Sequence, residues 1–270
     1  MGGADGCHVN AFPDEWSVPK FDAMVFRERS SRYCIGVPVL NEGERIRHQL
    51  RKMHDERLET DVVIADGGST DGALEPTYVR DMGVRALLTK VGPGGLSAQL
   101  RMMFAWALIE GYDGVLTIDG NGKDGLEGLG VVQAALEDGF DFVQGSRFVA
   151  GGSEKNTPLD RRLALRLVHA PLLSLAAGFR YSDTTNGLRG WSRAALLDPS
   201  VAPFRDVFNA YELHYYLSIR LPRLGYRVTE VPARREYPDS GRTPTKIHGF
   251  RSKLDLIGQL AGAVMGRYDP

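Results

Sequence analysis

Short apolar runs alternate with segments of helical period from residue 33 to about residue 145, and nothing else in the chain constrains the fold as much. Residues 33–40 (YCIGVPVL) read as a strand, and NEGERIRHQLRKMHDERL after them carries apolar residues at helical spacing, with Asn41 as its expected N-cap. Further strands are expected at 61–65 (DVVIA), 84–88, 115–118 and 140–144, separated by helices around Tyr78, at 96–109 and through 131–136. In the 96–109 helix, Leu96, Leu100, Phe104 and Leu108 recur at steps of four, which predicts one apolar stripe. Strands alternating with helices predict an α/β protein built on an open, mostly parallel sheet. Such sheets bind ligands at the carboxyl ends of their strands. The unusual residues of this chain fall at those ends: Asp66-Gly-Gly, Asp119-Gly-Asn121 and Gln144-Gly-Ser-Arg147.

The second half is less regular. Helices are expected at 161–178 and 211–221 and strands at 188–191 and 226–231, with a final helix introduced by Thr243-Pro-Thr-Lys246. Residues 1–30 hold Pro13, Pro19 and scattered aromatics, and are expected to be an irregular extension packed on the surface.

Composition removes several classes. Hydrophobic residues at 43% and charged residues at 25% are ordinary for a globular chain, so disorder and fibrous repetition are excluded. A net charge of −1 argues against non-specific nucleic-acid binding. Glycine is in excess, 32 of 270 residues, which suits loops whose backbone approaches a ligand closely. Cys7 and Cys34 are expected to be reduced and unpaired. The opening residues carry neither a basic nor an apolar leader segment, and no run reaches the ~20 apolar residues of a membrane span. The expected location is cytoplasmic, with contact at the inner face of a membrane left open.

Asp119 and Asn121 stand two residues apart just past a strand. They can present oxygens to one hard cation such as Mg²⁺ or Mn²⁺, or they form an ordinary Asp/Gly/Asn turn. Asp66 can accept hydrogen bonds from a ribose or base while Ser69 and Asp71 cap the next helix, or the segment is a capped connection without a ligand. Neither a dinucleotide fingerprint nor a G-x-x-x-x-G-K-[ST] phosphate loop occurs, and the histidines have no zinc-ligand spacing. Arg147 follows a strand end, where a guanidinium fork can reach a diphosphate, whereas a buried Asp–Arg pair is an alternative for Arg189 beside Asp183.

In order along the chain, VPVLNE, IADGGSTDG, TIDGNGKD, QGSRF, DTTNGLRGWSR and YELHYYLSIRLPRLGYRVTEVPARREYP resemble the family 2 glycosyltransferases of the GT-A fold, in particular the polyprenol-phosphate mannosyl- and glucosyltransferases. The resemblance covers residues 33 to about 250. It implies one GT-A domain over 31–270 after an extension at 1–30. Within it lie a nucleotide-sugar-binding half at 31–147, a smaller mixed acceptor half at 148–250 and a C-terminal helix at 251–270. It also implies that Pro38, Asn41, Glu42 and Asp66 line the nucleotide pocket and that Asp119 and Asn121 hold metal and diphosphate. Arg147, Arg189, Arg242 and Lys246 would clasp phosphates. Two departures weaken the expected need for a cation: the second acid of D-x-D is the neutral Asn121, and Lys123 stands where another polar ligand is usual.

The implied reaction is inverting transfer from a nucleotide-diphosphate sugar to a lipid phosphate or a soluble sugar acceptor. Asp183 or Glu212 is the candidate base if the acceptor is a hydroxyl. Alternatives of other classes are a sugar-nucleotide nucleotidylyltransferase and a non-catalytic sugar-nucleotide-binding protein. Peripheral membrane contact is expected through basic residues 242–253 beside the apolar segment 254–265.

Overall fold

The computed structural model describes residues 12–237 and 249–270, with the side chains of 249–253 excepted. Cys7, Arg242, Lys246, His248 and the expected start of the final helix therefore lie outside the described residues or side chains. The chain opens with β1 (Phe21–Val25), β2 (Tyr33–Val39), α1 (Glu44–Asp55), β3 (Asp61–Asp66), α2 (Pro76–Asp81) and β4 (Ala86–Lys90). It continues through α3 (Leu96–Ile109), β5 (Gly114–Thr117), α4 (Glu127–Glu137), β6 (Phe142–Ser146) and β7 (Ser153–Lys155). Next come α5 (Leu159–Ala164), a π-helical turn (Leu165–His169), α6 (Ala170–Ala177), β8 (Arg189–Ser192) and α7 (Arg193–Leu197). The chain ends with α8 (Glu212–Arg223), β9 (Val228–Pro232), β10 (Arg234–Glu236) and α9 (Gly249–Val264).

Eight strands form one sheet in the order β1-β4-β3-β2-β5-β8-β6-β9. Only β1 and β8 run antiparallel to their neighbours. Helices cover both faces, so the central strands are apolar on both sides, as parallel sheets require. Along β2, Tyr33, Ile35, Val37 and Val39 join the layer under α1 and α4, while Cys34 faces the layer under α3 and α8. The strand order reverses at β2, between β3 and β5. In open α/β sheets ligands bind at such a reversal, beyond the carboxyl ends of the strands.

Helix α3 differs from the expected single stripe. Every residue from Ser97 to Leu108 is buried, so its apolar content is not confined to one face. Its polar side chains are satisfied inside: Gln99 Nε2 donates to the carbonyls of Val39 (2.7 Å) and Ala65 (2.9 Å), tying α3 to the ends of β2 and β3.

Three strands begin two residues later than their apolar runs suggest, for one reason. Gly83, Gly139 and Gly225 end α2, α4 and α8 in the left-handed region. The next residues, Val84, Phe140 and Tyr226, donate their N–H back to Val79, Ala135 and Leu221. These are Schellman caps, in which the first apolar residue seals the helix before the strand starts.

The amino-terminal segment is also more ordered than its composition suggests. β1 is an edge strand on β4, and Phe12 and Trp16 pack on the core. Its anchor is Asp61, fully buried at the start of β3. Asp61 accepts from Ser30 N (2.9 Å), Ser30 Oγ (2.7 Å), Ser31 N (3.3 Å) and Tyr112 Oη (2.7 Å), and pairs with Arg27 (2.8 Å). Burial pushes its pKa up, but these donors outweigh burial and hold it below the ordinary carboxylate value. Replacing Asp61 by alanine strands several buried donors, so Asp61→Ala is expected to cost about 3 kcal/mol in urea unfolding. A loss under about 1 kcal/mol would contradict this anchoring role.

Candidate active site

Asp119 stands two residues past the end of β5, where Gly120 lets the chain cross β2. A Cβ on Gly120 would lie 2.9 Å from Val39 Cγ2 and 3.1 Å from the Pro38 carbonyl. On the other side Gly187 does the same, since a Cβ there would fall 2.2 Å from Asp119 Oδ1. Asp119 is therefore wedged between two glycine-bearing turns, with its Oδ2 receiving Arg235 Nη2 at 2.9 Å and Asn121 Nδ2 at 3.3 Å. Arg235 also donates Nη1 to both oxygens of Asp124, at 2.7 and 2.8 Å. The backbone sets up this bridge: β10 lies along residues 123–125, with Gly125 N donating to Arg234 O and Glu236 N to Lys123 O. Lys123 is buried in the same cluster, its ammonium 5.2 Å from the centre of the Tyr237 ring.

The charges tune one another. Burial pushes Asp119 up, but Arg235 and Lys123 prevail and hold it below the ordinary range. Burial pushes Asp124 up to about 6 against the pull of Arg235. Arg235, although buried, is held firmly charged by the two carboxylates.

The loops after β2 and β3 form the other wall. Asn41 adopts a left-handed backbone and does not cap α1, whose N-cap is Gly43. Instead Asn41 N donates to Ser69 Oγ (2.9 Å), and its Oδ1 accepts from Thr70 N (2.8 Å). Asp71 accepts from Gly43 N, and Asp66 accepts from Ser69 N (2.9 Å) and Oγ (2.6 Å). Ser69 and Asp71 thus stitch two loops together, and the cap of α2 is Glu75. Glu42 takes the guanidinium of Arg45, and Pro38 sits in β2 beyond its last pair with β5.

Arg147, like Arg235, is already paired with a carboxylate. Its Nε and Nη2 grip Asp183 at 2.6 and 2.9 Å, and both side chains are buried. Asp183 is held below the ordinary range because Arg147 outweighs its burial, which makes it a poor proton acceptor. The buried Asp–Arg pair expected for Arg189 is thus formed by Arg147. Arg189 donates to the carbonyls of Asn186 (3.1 Å) and Thr184 (2.9 Å), while burial pushes it down to about 10. Glu212 accepts from the backbone N–H groups of Asn209 (3.1 Å) and Ala210 (2.6 Å). Arg235 was missed by sequence reasoning. Its only signal was the basic pair in VPARREYP, and its partners lie 111 and 116 residues away.

No family profile matches the chain. It is 27% identical over 245 residues to polyprenol monophosphomannose synthase of Mycolicibacterium smegmatis, covering 89% of this chain and 90% of that one. It is 29% identical over 201 residues to undecaprenyl-phosphate mannosyltransferase of Micrococcus luteus, covering 73% and 80%. Glucosyl-3-phosphoglycerate synthase of M. tuberculosis superposes with a TM-score of 0.60 at 19% identity, over 86% of this chain and 80% of that one. Another structure of that synthase holds Mn²⁺, UDP and glucosyl-3-phosphoglycerate. The sheet with its flanking helices is the fold of the GT-A glycosyltransferases. The chain has that fold and is similar in sequence to the polyprenol-phosphate sugar transferases.

The donor set fits a tightly held divalent cation poorly. Among the described residues no three His, Cys, Asp or Glu side chains are grouped to hold a metal. Asp119 and Asn121 supply hard oxygens, but Asp119 is bonded to Arg235, Asn121 Oδ1 accepts from Lys123 N at 3.2 Å, and two cations already stand in the cluster.

His169, whose Nδ1 meets Thr184 Oγ1 at 2.9 Å, couples the helix before this loop to the site. Burial and then Arg189 depress its pKa to about 4, against a weaker opposing pull from Asp183. The unfolded chain protonates this ring near 6.5 and the folded chain only near 4, so its contribution to stability is complete above pH 6.5 and is lost as pH falls toward 4. His169→Gln should therefore lose less stability than wild type between pH 7 and pH 5 in denaturant melts, other titrating groups being common to both. Equal losses would contradict the depressed value.

Proposed function

We propose that the protein is an inverting glycosyltransferase that takes a sugar from a nucleoside-diphosphate donor and places it on a lipid-borne phosphate. The observation that carries this reading is the state of the two carboxylates nominated as bases. Asp183 is locked to Arg147, and Glu212 is occupied by two backbone N–H groups. A hydroxyl acceptor needs a base to take its proton. A phosphate acceptor arrives as an anion and needs none. The names of the mannosyltransferase relatives support the same acceptor class.

In this reading an acceptor phosphate oxygen attacks the anomeric carbon from the face opposite the diphosphate. The new C–O bond forms as the bond to the leaving phosphate breaks, its electron pair passes to the diphosphate, and the configuration inverts. Arg235 and Lys123, preorganised in a buried cluster, are placed to meet the charge that grows on the leaving group. Asp119 holds Arg235 in place and faces the incoming donor. The loop pair Asn41–Gly43 and Asp66–Asp71 supplies the nucleoside wall.

Incubation with UDP-, GDP-, ADP-, CDP- and dTDP-sugars, a short-chain polyprenyl phosphate and a set of soluble hydroxyl acceptors tests the reading. Release of a nucleoside diphosphate with sugar on the lipid phosphate is expected. Transfer only to a soluble hydroxyl, or release of pyrophosphate, would overturn it. Asp119→Ala should lower turnover about a hundredfold or more. Near-normal transfer by that variant would remove Asp119 from the mechanism.

A further inference from the structure

The helical run from α5 through α6 is apolar on two faces. Its inner face, with Leu165, Ala170, Leu173 and Ala177, is buried in the core. Its outer face presents Leu159 (72% exposed), Leu163 (55%), Leu167 (71%), Val168, Leu172 and Leu175 (84%) to solvent. A surface helix normally turns a polar face outward, and one that is apolar all round is normally covered on every side. From Leu159 to Leu167 the exposed leucines recur every four residues, which drifts around a helix of 3.6 residues per turn. The π-helical turn at Leu165–His169 interrupts the α-helix at the point where the exposed set passes from Leu167 to Val168 and on to Leu172 and Leu175. Helix α9 packs on α6 and adds exposed Leu254 and Ile257.

The charges say what covers this face. Exposed Arg162, Arg166 and Arg180 accompany the leucines; Arg162 is paired with Glu154 at 2.7 Å, and the only acid between 159 and 180 is Asp160. An isologous contact with a second copy would bring these like charges together. Anionic headgroups would instead neutralise them, each basic side chain near such a surface contributing roughly 1 kcal/mol. Leucines flanked by arginines on a helix with no spanning length are the composition of an interfacial helix. Among the described residues no helix is long and apolar enough to cross a membrane.

We infer that the outer face of α5–α6, extended by α9, is a docking surface for an anionic lipid bilayer. It rests on the lipid-phosphate reading for its purpose, and moves the main membrane contact away from the basic stretch at 242–253. The location suits the reaction, because the same helical run reaches the 183–187 loop, which packs on Asp119 through Gly187, by the His169–Thr184 hydrogen bond.

Vesicle co-sedimentation tests the surface independently of catalysis. Wild type should bind equimolar phosphatidylcholine–phosphatidylglycerol vesicles at least about fivefold better than phosphatidylcholine alone, with the difference shrinking in high salt. The triple variant Leu163→Ser, Leu167→Ser, Leu175→Ser should lose vesicle binding at least about tenfold. It should transfer sugar to a water-soluble short-chain polyprenyl phosphate within about twofold of wild type, because these side chains lie outside the donor site. Failure of wild type to bind the anionic vesicles, or equal binding by the variant, would overturn the proposal. So would a wild-type dimer that the variant converts to monomer without any vesicle binding, which would assign the face to a second copy. Vesicle binding without transfer to any lipid phosphate would support the surface and sink the acceptor assignment instead.

Discussion

Arg235 bridging Asp119 and Asp124 is the interaction on which the site depends. Two carboxylates buried side by side would repel and one would take up a proton. A bidentate guanidinium between them keeps Asp119 ionised and fixes its direction. The same bridge pins β10 beside the loop after β5, so the two segments are held as one unit. Removing a partner from such a buried group costs more than forming the pair contributes, which makes the arrangement hard to lose once folded.

The sheet sets where this cluster stands. The strand order reverses at β2, the place in open α/β sheets where ligands bind beyond the carboxyl ends of the strands. One wall is the pair of loops after β2 and β3, stitched by Asn41, Ser69 and Asp71. The other carries Asp119, Arg235 and Lys123 and suits a diphosphate. Arg147, Asp183 and Glu230 lie behind it as scaffolding, for Glu230 receives the backbone N–H groups of Ser182 and Asp183 while Arg147 clamps the Asp183 side chain.

What was legible in the sequence was whatever a local pattern encodes. The alternation of strand and helix placed Asp66 and Asp119 at strand ends, and the structure has them there. Strand starts were misplaced where the apolar residue after a left-handed glycine belongs to a helix cap, as at Val84, Phe140 and Tyr226. β1 was invisible because its pairing with β4 and the Asp61 anchor are long-range. A strand-end arginine such as Arg147 looks the same in sequence whether or not a carboxylate from residue 183 reaches it. Arg235 was missed for the complementary reason, its role being set by partners more than a hundred residues earlier.

The central claim is that cationic side chains already in the cluster, chiefly Arg235 with Lys123, neutralise the donor diphosphate. Calorimetric titration measures this most directly, with the nucleoside diphosphate of the preferred donor added to chelator-treated protein and again with Mn²⁺ present. The account predicts binding in both cases, with dissociation constants within about threefold of each other, a difference of less than about 1 kcal/mol. Binding that is absent under chelator and restored by Mn²⁺ would contradict it.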